Sequence, residues 1–117
     1  MSEEQTAQLT GVKFYYKYLI KTFGNAHCVG CRALAHVLDK YQQGDKLQDV
    51  YQAYADEINS TPAAVERSVR TYLNLIMTDY TIADMSVMLD YAFRPGQTKL
   101  NAAEFIPVLK FVLENEG

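Results

Sequence analysis

The sequence predicts an all-α fold, a single domain of six helices. Along most of the chain, apolar residues recur at intervals of three and four, the period of amphipathic helices, whereas the alternation typical of strands is scarce. The three prolines and six glycines mostly fall between these periodic segments. A chain of 117 residues, 49% of them hydrophobic, suffices for one buried core. We assign residues 1–11 to an N-terminal tail with the start of the first helix, and residues 12–117 to the domain.

The first three helices are predicted over Leu9–Phe23, Gly30–Gln42 and Leu47–Ile58. Gly24 follows the first of them and readily adopts the left-handed conformation that ends a helix. The third helix has the most regular apolar pattern of the chain. The residues expected to face the core are Val12, Tyr16, Leu19, Ile20 and Phe23 in the first helix, Leu34, Leu38 and Tyr41 in the second, and Leu47, Val50, Tyr51, Tyr54, Ala55 and Ile58 in the third.

A short turn, Asn59–Pro62, separates the third helix from the fourth, which is predicted over Pro62–Met77. Asparagine tolerates the left-handed conformation, Thr61 can cap the next helix, and proline suits a first helical position. The inward residues of the fourth helix are expected to be Val65, Val69, Tyr72, Leu73 and Ile76.

The last two helices are predicted to open at Thr81 and Asn101. Each of these residues is followed three positions later by an acidic residue, which is the pattern of a capping box. Pro107 lies inside the sixth helix, where it removes a hydrogen bond, and it predicts a kink or a later helix start.

Two helices joined by a sharp turn form a helix-turn-helix, whose second helix enters the DNA major groove. The third and fourth helices have this layout, and the face of the fourth opposite the core is predicted to carry Ala64, Arg67, Ser68 and Thr71. Arg67 is the candidate for a bidentate contact to guanine, and Arg70 on the flank suits a phosphate. The Glu66 carboxylate is able to accept a hydrogen bond from cytosine, but a solvated ion pair with Arg70, four residues later, is the favoured interpretation.

Residues 51–70 resemble the helix-turn-helix of the C-terminal DNA-binding effector domain of the stage-zero sporulation master response regulator family. The most specific positions are Thr61-Pro62, Val65-Glu66-Arg67 and Arg70, and the similarity extends over about residues 12–117. The resemblance implies a six-helix fold that binds double-stranded DNA, with two domains paired as a homodimer on adjacent boxes. Together with the outward face of the fourth helix, the resemblance predicts DNA contacts at Thr61, Ala64, Glu66, Arg67, Ser68, Arg70, Thr71 and Lys99.

Several positions depart from the family pattern. Ala64 stands where the family has a basic residue, Thr71 replaces a histidine, and Asp56 and Glu57 replace two lysines. Each change removes or inverts a charge that DNA favours. An alternative function is therefore a degenerate helix-turn-helix that binds protein. The family's receiver domain has no counterpart in these residues, which fits either a piece of a longer regulator or a stand-alone relative.

The charge of the chain is unevenly distributed. Its net value is −3, which counts against nucleic-acid binding, yet residues 11–40 carry five basic and one acidic side chain, or +4. Residues 41–66 carry one basic and five acidic side chains, or −4. A basic surface is therefore expected where the first two helices contribute to it.

The two cysteines and two histidines form an H-C-x2-C-x4-H cluster: His27, Cys28, Cys31 and His36. These side chains suffice for tetrahedral zinc, and a reversible Cys28–Cys31 disulfide is an alternative. The spacing fits a single metal site poorly, however, and two ordinary, partly buried cysteines are the favoured interpretation. We expect no metal and no cofactor.

The sequence contains no catalytic arrangement of nucleophile, base or phosphate loop, so we expect neither an enzyme nor a small-molecule substrate. No apolar run approaches a membrane span, and the polar start lacks the features of a signal peptide. A cytoplasmic location is expected.

Overall fold

The computed structural model describes residues 11–24 and 29–116. These residues form helices and no strands, which confirms the all-α prediction. The six helices in the described part are α1 (Val12–Phe23), α2 (Val29–Lys40), α3 (Leu47–Glu57), α4 (Pro62–Asp79), α5 (Ile82–Leu89) and α6 (Ala102–Glu116). The predicted boundaries agree within about two residues, except that the expected start of the first helix at Leu9 lies outside the described residues.

Capping boxes were predicted at the N-termini of α5 and α6, and one of the two forms. The Thr81 hydroxyl accepts a hydrogen bond from the Asp84 amide at 3.1 Å, and the Asp84 carboxylate accepts one from the Thr81 amide at 2.9 Å, so the predicted capping box is confirmed. The box expected at Asn101 is wrong. Asn101 Oδ1 accepts from the Ala103 amide at 2.8 Å, while the Glu104 carboxylate binds elsewhere in the fold.

Pro107 does not delay the last helix. α6 begins at Ala102 and runs without a break through Pro107, so the expectation of a later start is wrong. The Pro107 carbonyl accepts a hydrogen bond from the Gln43 side chain at 3.2 Å. A kink at this position stays a prediction.

The core is centred on α2, which packs against α1, α3 and α4, while α6 packs against α4 and α5. Every inward residue predicted for α4 is buried. Ile58, predicted to face the core, is 48% exposed because α3 ends at Glu57 and Ile58 caps it. In α1, Tyr15 is buried although the predicted face omitted it, since this helix contacts α6 as well as α2.

Two contacts fix the helices around α4. A Cβ placed on Gly30 would lie 2.0 Å from the Ser68 carbonyl oxygen and 2.7 Å from Tyr72 Cβ, so only glycine permits this approach of α2 to the α4 backbone. The Tyr72 hydroxyl donates to the Gly24 carbonyl at 3.0 Å, which ties the end of α1 to the same helix.

Within residues 11–24 and 29–116, one charged side chain is buried between helices. The Lys110 ammonium, on a residue only 7% exposed, donates to the Leu38 carbonyl of α2 and lies 5.0 Å from the centre of the Tyr15 ring on α1. The hydrogen bond and the cation–π contact offset part of the cost of removing this charge from water.

Candidate nucleic-acid interface

α3 and α4 are joined by residues 58–61, the sharp turn predicted from the sequence. Asn59 adopts the left-handed conformation with φ of 55°, and the Ser60 amide donates to the Ala55 carbonyl at 2.8 Å. The Thr61 hydroxyl caps α4 by accepting from the Ala64 amide at 3.2 Å. The two helices therefore form a helix-turn-helix.

The outward side of α4 carries the four residues predicted to lie opposite the core, and we call it the reading face: Ala64, Arg67, Ser68 and Thr71. Arg67 and Thr71 are exposed, whereas Ala64 and Ser68 are half-buried. Ser68 lies at the border with α2, because its backbone contacts Gly30. The exposed centre of the reading face is therefore narrower than the sequence predicts, and it consists of Arg67 and Thr71.

Glu66 and Arg70 form the intrahelical pair favoured from the sequence. Glu66 Oε1 and Arg70 Nη1 are 2.9 Å apart, with side chains 47% and 59% exposed. A solvated pair of this kind contributes about 0.3–0.5 kcal/mol. Arg70 can therefore exchange this partner for a phosphate at little cost.

A groove of about 770 Å³ lies on the Arg70 side of α4. The start of α3, the flank of α4 and the connection between α5 and α6 form its walls. Lys99, which was predicted to contact DNA, lines this groove together with Arg70. Arg94 also lines the groove, although no DNA contact was predicted for it from the sequence. The only sequence feature that points to such a role is a lone basic residue before Pro-Gly in an interhelical loop. The groove thus joins three cations from distant parts of the chain.

A hydrogen-bonded network holds the α5–α6 connection in place. The Gln97 side-chain amide donates to the Lys99 carbonyl at 2.9 Å and to Glu104 Oε1 at 3.0 Å. The Tyr91 hydroxyl donates to Glu104 Oε2 at 3.1 Å, and this hydrogen bond to a carboxylate raises the pKa of Tyr91 above its usual value. Glu104 is thereby committed to the connection and not to the helix cap.

The exposed side of α3 is acidic. Asp49 and Asp56 are both exposed, and Asp56 accepts a hydrogen bond from the Gln52 side chain at 2.8 Å. Glu57 pairs with Lys40 of α2, which offsets its charge. Asp49 and Asp56 therefore leave a negative surface on the first helix of the motif.

Four of the five basic residues behind the basic surface expected from the first two helices are exposed. Lys13, Lys17 and Lys21 are exposed along α1, and Arg32 is exposed on α2, with its guanidinium 5.7 Å from the centre of the Tyr16 ring. None of these cations lines the groove beside α4. Their contribution to DNA binding stays a prediction.

The cysteine and histidine cluster is only partly described, since His27 and Cys28 lie outside the described residues. Cys31 is fully buried in the core, and the His36 ring stacks on Tyr54 with centroids 4.6 Å apart. Burial lowers the pKa of His36. The described part holds no group of three or more side chains able to bind a metal, and the expectation of no metal stays a prediction.

Within the described part, no helix combines the length and hydropathy that crossing a membrane requires.

The described part is thus an all-helical domain with a helix-turn-helix, a motif that many DNA-binding domains use. Residues 16–113 match the family described as sporulation initiation factor Spo0A C terminal, and the chain belongs to this family. The family consists of DNA-binding effector domains of sporulation regulators and not of enzymes, and the resemblance found in the sequence is confirmed. No curated protein and no solved structure matches the chain.

Proposed function

We propose that this chain is a sequence-specific transcription regulator domain that reads double-stranded DNA with α4 in the major groove. The observation that carries the proposal is Arg67, which is exposed and whose side chain makes no hydrogen bond or ion pair to any other described residue. A guanidinium with free donors can bond O6 and N7 of one guanine together. Membership of a DNA-binding family supports the same role.

In this proposal the reading face makes the base contacts. Arg67 carries most of the discrimination, and Thr71, one turn further along and equally exposed, contacts a neighbouring base. The half-buried Ala64 and Ser68 bring small surfaces close to the groove edge. Short side chains there allow α4 to approach the bases closely.

The residues beside the reading face position the domain on the backbone. Arg70 and Lys99, which line one groove, bind phosphate oxygens, and Glu66 orients Arg70 until DNA arrives. Thr61 caps α4 at the helix end where partial positive charge favours a phosphate. These contacts set the register of the reading face.

We also propose that two copies bind side by side on adjacent boxes. The net charge of −3 and the acidic α3 surface limit the affinity of one copy for DNA. Two linked binding events on one duplex compensate for weak individual contacts.

The second candidate function is protein binding through a helix-turn-helix that no longer contacts DNA. The observation that favours it is the exposed pair Asp49 and Asp56 on α3, the helix that crosses the DNA backbone in this motif. Carboxylates in that place repel phosphates.

The test is a titration of the domain against duplexes selected from a random pool, measured by fluorescence anisotropy at several salt concentrations. We expect affinity to fall steeply as salt rises, because phosphate contacts release counterions. If no selected duplex gives salt-dependent binding, the protein-binding function replaces the DNA-binding one.

A further inference from the structure

We propose that Arg94, on the connection between α5 and α6 that also carries Lys99, binds the phosphate backbone beside the base pairs read by α4. The inference rests on the proposed function, because it requires α4 to lie in the major groove. It adds Arg94 to Lys99 as a second DNA-contacting residue outside the helix-turn-helix.

The first argument is the charge of the groove. Its cations come from two separate elements, Arg70 on α4 and Arg94 and Lys99 on the connection. Glu66 is the only carboxylate among the lining residues, and it is already paired with Arg70. Every charged side chain on the wall formed by the connection is therefore a cation, which suits a polyanion.

The second argument is the direction of α6. Its first residues, Ala102 and Ala103, line the same groove, so the N-terminal end of a 15-residue helix opens onto it. The partial positive charge at a helix N-terminus adds to the field of the three cations. Asn101 caps this end through the Ala103 amide.

The third argument is that the connection is already ordered. Glu104 holds it through Gln97 and Tyr91, and Leu100 is buried beneath it. The backbone amide of Gln97 also donates a hydrogen bond to the Arg94 carbonyl at 3.1 Å, which closes a turn. A binding element that is fixed before contact loses less entropy when it binds.

The fourth argument is position. When a helix lies in the major groove, sugar–phosphate strands run along its flanks, and the groove lies on the Arg70 flank of α4. Arg94 is exposed there, with no hydrogen bond or ion pair from its side chain to other described residues. Its donors are available for phosphate oxygens.

The experiment compares Arg94→Ala, Arg94→Lys and Val87→Ala with the unmutated domain by anisotropy across a salt series. Arg94→Ala should weaken binding to preferred and scrambled duplexes alike, roughly fivefold to tenfold at 0.1 M salt, and lower the salt slope by about one unit. Arg94→Lys keeps the charge and should retain the slope. Val87→Ala changes an uncharged side chain of α5 that is 83% exposed and does not line the groove, so it should leave both affinity and slope unchanged.

Two negative results are distinguishable. If Arg94→Ala keeps the full slope and affinity while the unmutated domain binds its box in a salt-dependent way, the inference is overturned and the proposed function stands. If the unmutated domain binds no duplex, both fail. Because Arg94 is exposed in a turn, unchanged circular dichroism and melting temperature should show that the variant folds.

Discussion

Arg67 and Arg70 lie three residues apart on α4, but their surroundings differ. Arg67 points outward without a partner among the described residues, whereas Arg70 is held by Glu66 and lines the groove. The first environment suits a contact to a base edge and the second a contact to the backbone. Two arginines of one helix are therefore expected to have separable effects.

Arg67→Ala should cost about 1 to 3 kcal/mol on the preferred box and change non-specific binding less, as expected for a lost bidentate contact. Arg67→Lys is the control, because lysine keeps the positive charge but lacks the paired N–H donors of a guanidinium. Arg70→Ala should weaken all sequences alike and lower the salt slope by about one unit. The measurement is anisotropy on specific and scrambled duplexes; equal effects of both alanine variants on both duplexes would contradict the assignment.

His36 predicts a pH dependence of stability. Burial against Tyr54 lowers its pKa below the ordinary 6.5, outweighing the opposing effect of Glu57. The unfolded chain therefore takes up a proton more readily than the folded domain as pH falls. This contribution to stability is complete above pH 6.5 and is lost as pH falls through 6.5 towards the folded value.

Urea unfolding at pH 7.5 and 5.5 tests the role of His36. The unmutated domain should lose stability between these values, and His36→Gln should reduce that loss. An identical loss in both proteins would assign the pH dependence to other groups.

At residue level the sequence predicted the exposure of Arg67 and Thr71, because helix periodicity places both away from the core. It placed Ser68 on the same face, and only the contact with Gly30 shows that this residue borders α2. Arg94 was missed because it joins Arg70 only through tertiary folding.

At the level of whole helices, the backbone contact of α2 with α4 is a tight constraint. The α2 backbone at Gly30 meets the backbone of α4 at Ser68, and a backbone carbonyl cannot rotate away as a side chain can. This contact also fixes the turn of α4 that carries the reading face. Any displacement here moves the residues of the reading face.

Gly30→Ala should destabilise the domain by about 2 kcal/mol or more, since the added methyl group forces the two helices apart. Gly44→Ala is the matched control: its φ is 95°, but no atom lies within 4 Å of the added Cβ, so its cost should stay near 1 kcal/mol from backbone strain alone. Urea denaturation gives both values. A Gly30 variant no less stable than the Gly44 variant would refute the close contact.

Helix ends show why local rules succeed or fail. The predicted box at Thr81 formed because Asp84 has no stronger tertiary partner than the cap. At Asn101 the same pattern failed, since Glu104 binds Tyr91 and Gln97 across the connection. A local pattern of residues predicts a cap only where no distant side chain competes for it.

The whole molecule combines a negative net charge with a few localised cations. Periodicity and turn residues are local signals, so the sequence predicted six helices and the helix-turn-helix. The groove required residues from three distant segments and was beyond such signals. The net charge of −3 leaves any affinity for DNA dependent on where the cations lie.

On a duplex with two adjacent boxes, two copies should bind with positive cooperativity. Inserting about 5 base pairs between the boxes should remove it, because half a helical turn places the copies on opposite faces, while about 10 base pairs should restore the alignment. A gel-shift titration of the three duplexes measures this. Independent binding on all of them would show that the copies do not contact one another.

The burial of Lys110 has a consequence for chemical labelling. Acylating reagents modify amines that solvent can reach, and this ammonium is enclosed by Leu38 and Tyr15 while the lysines of α1 are exposed. It should therefore react only when α1, α2 and α6 separate. The acylation rate of this single amine, measured by mass spectrometry, therefore reports how often the wild-type domain opens globally, without any added label.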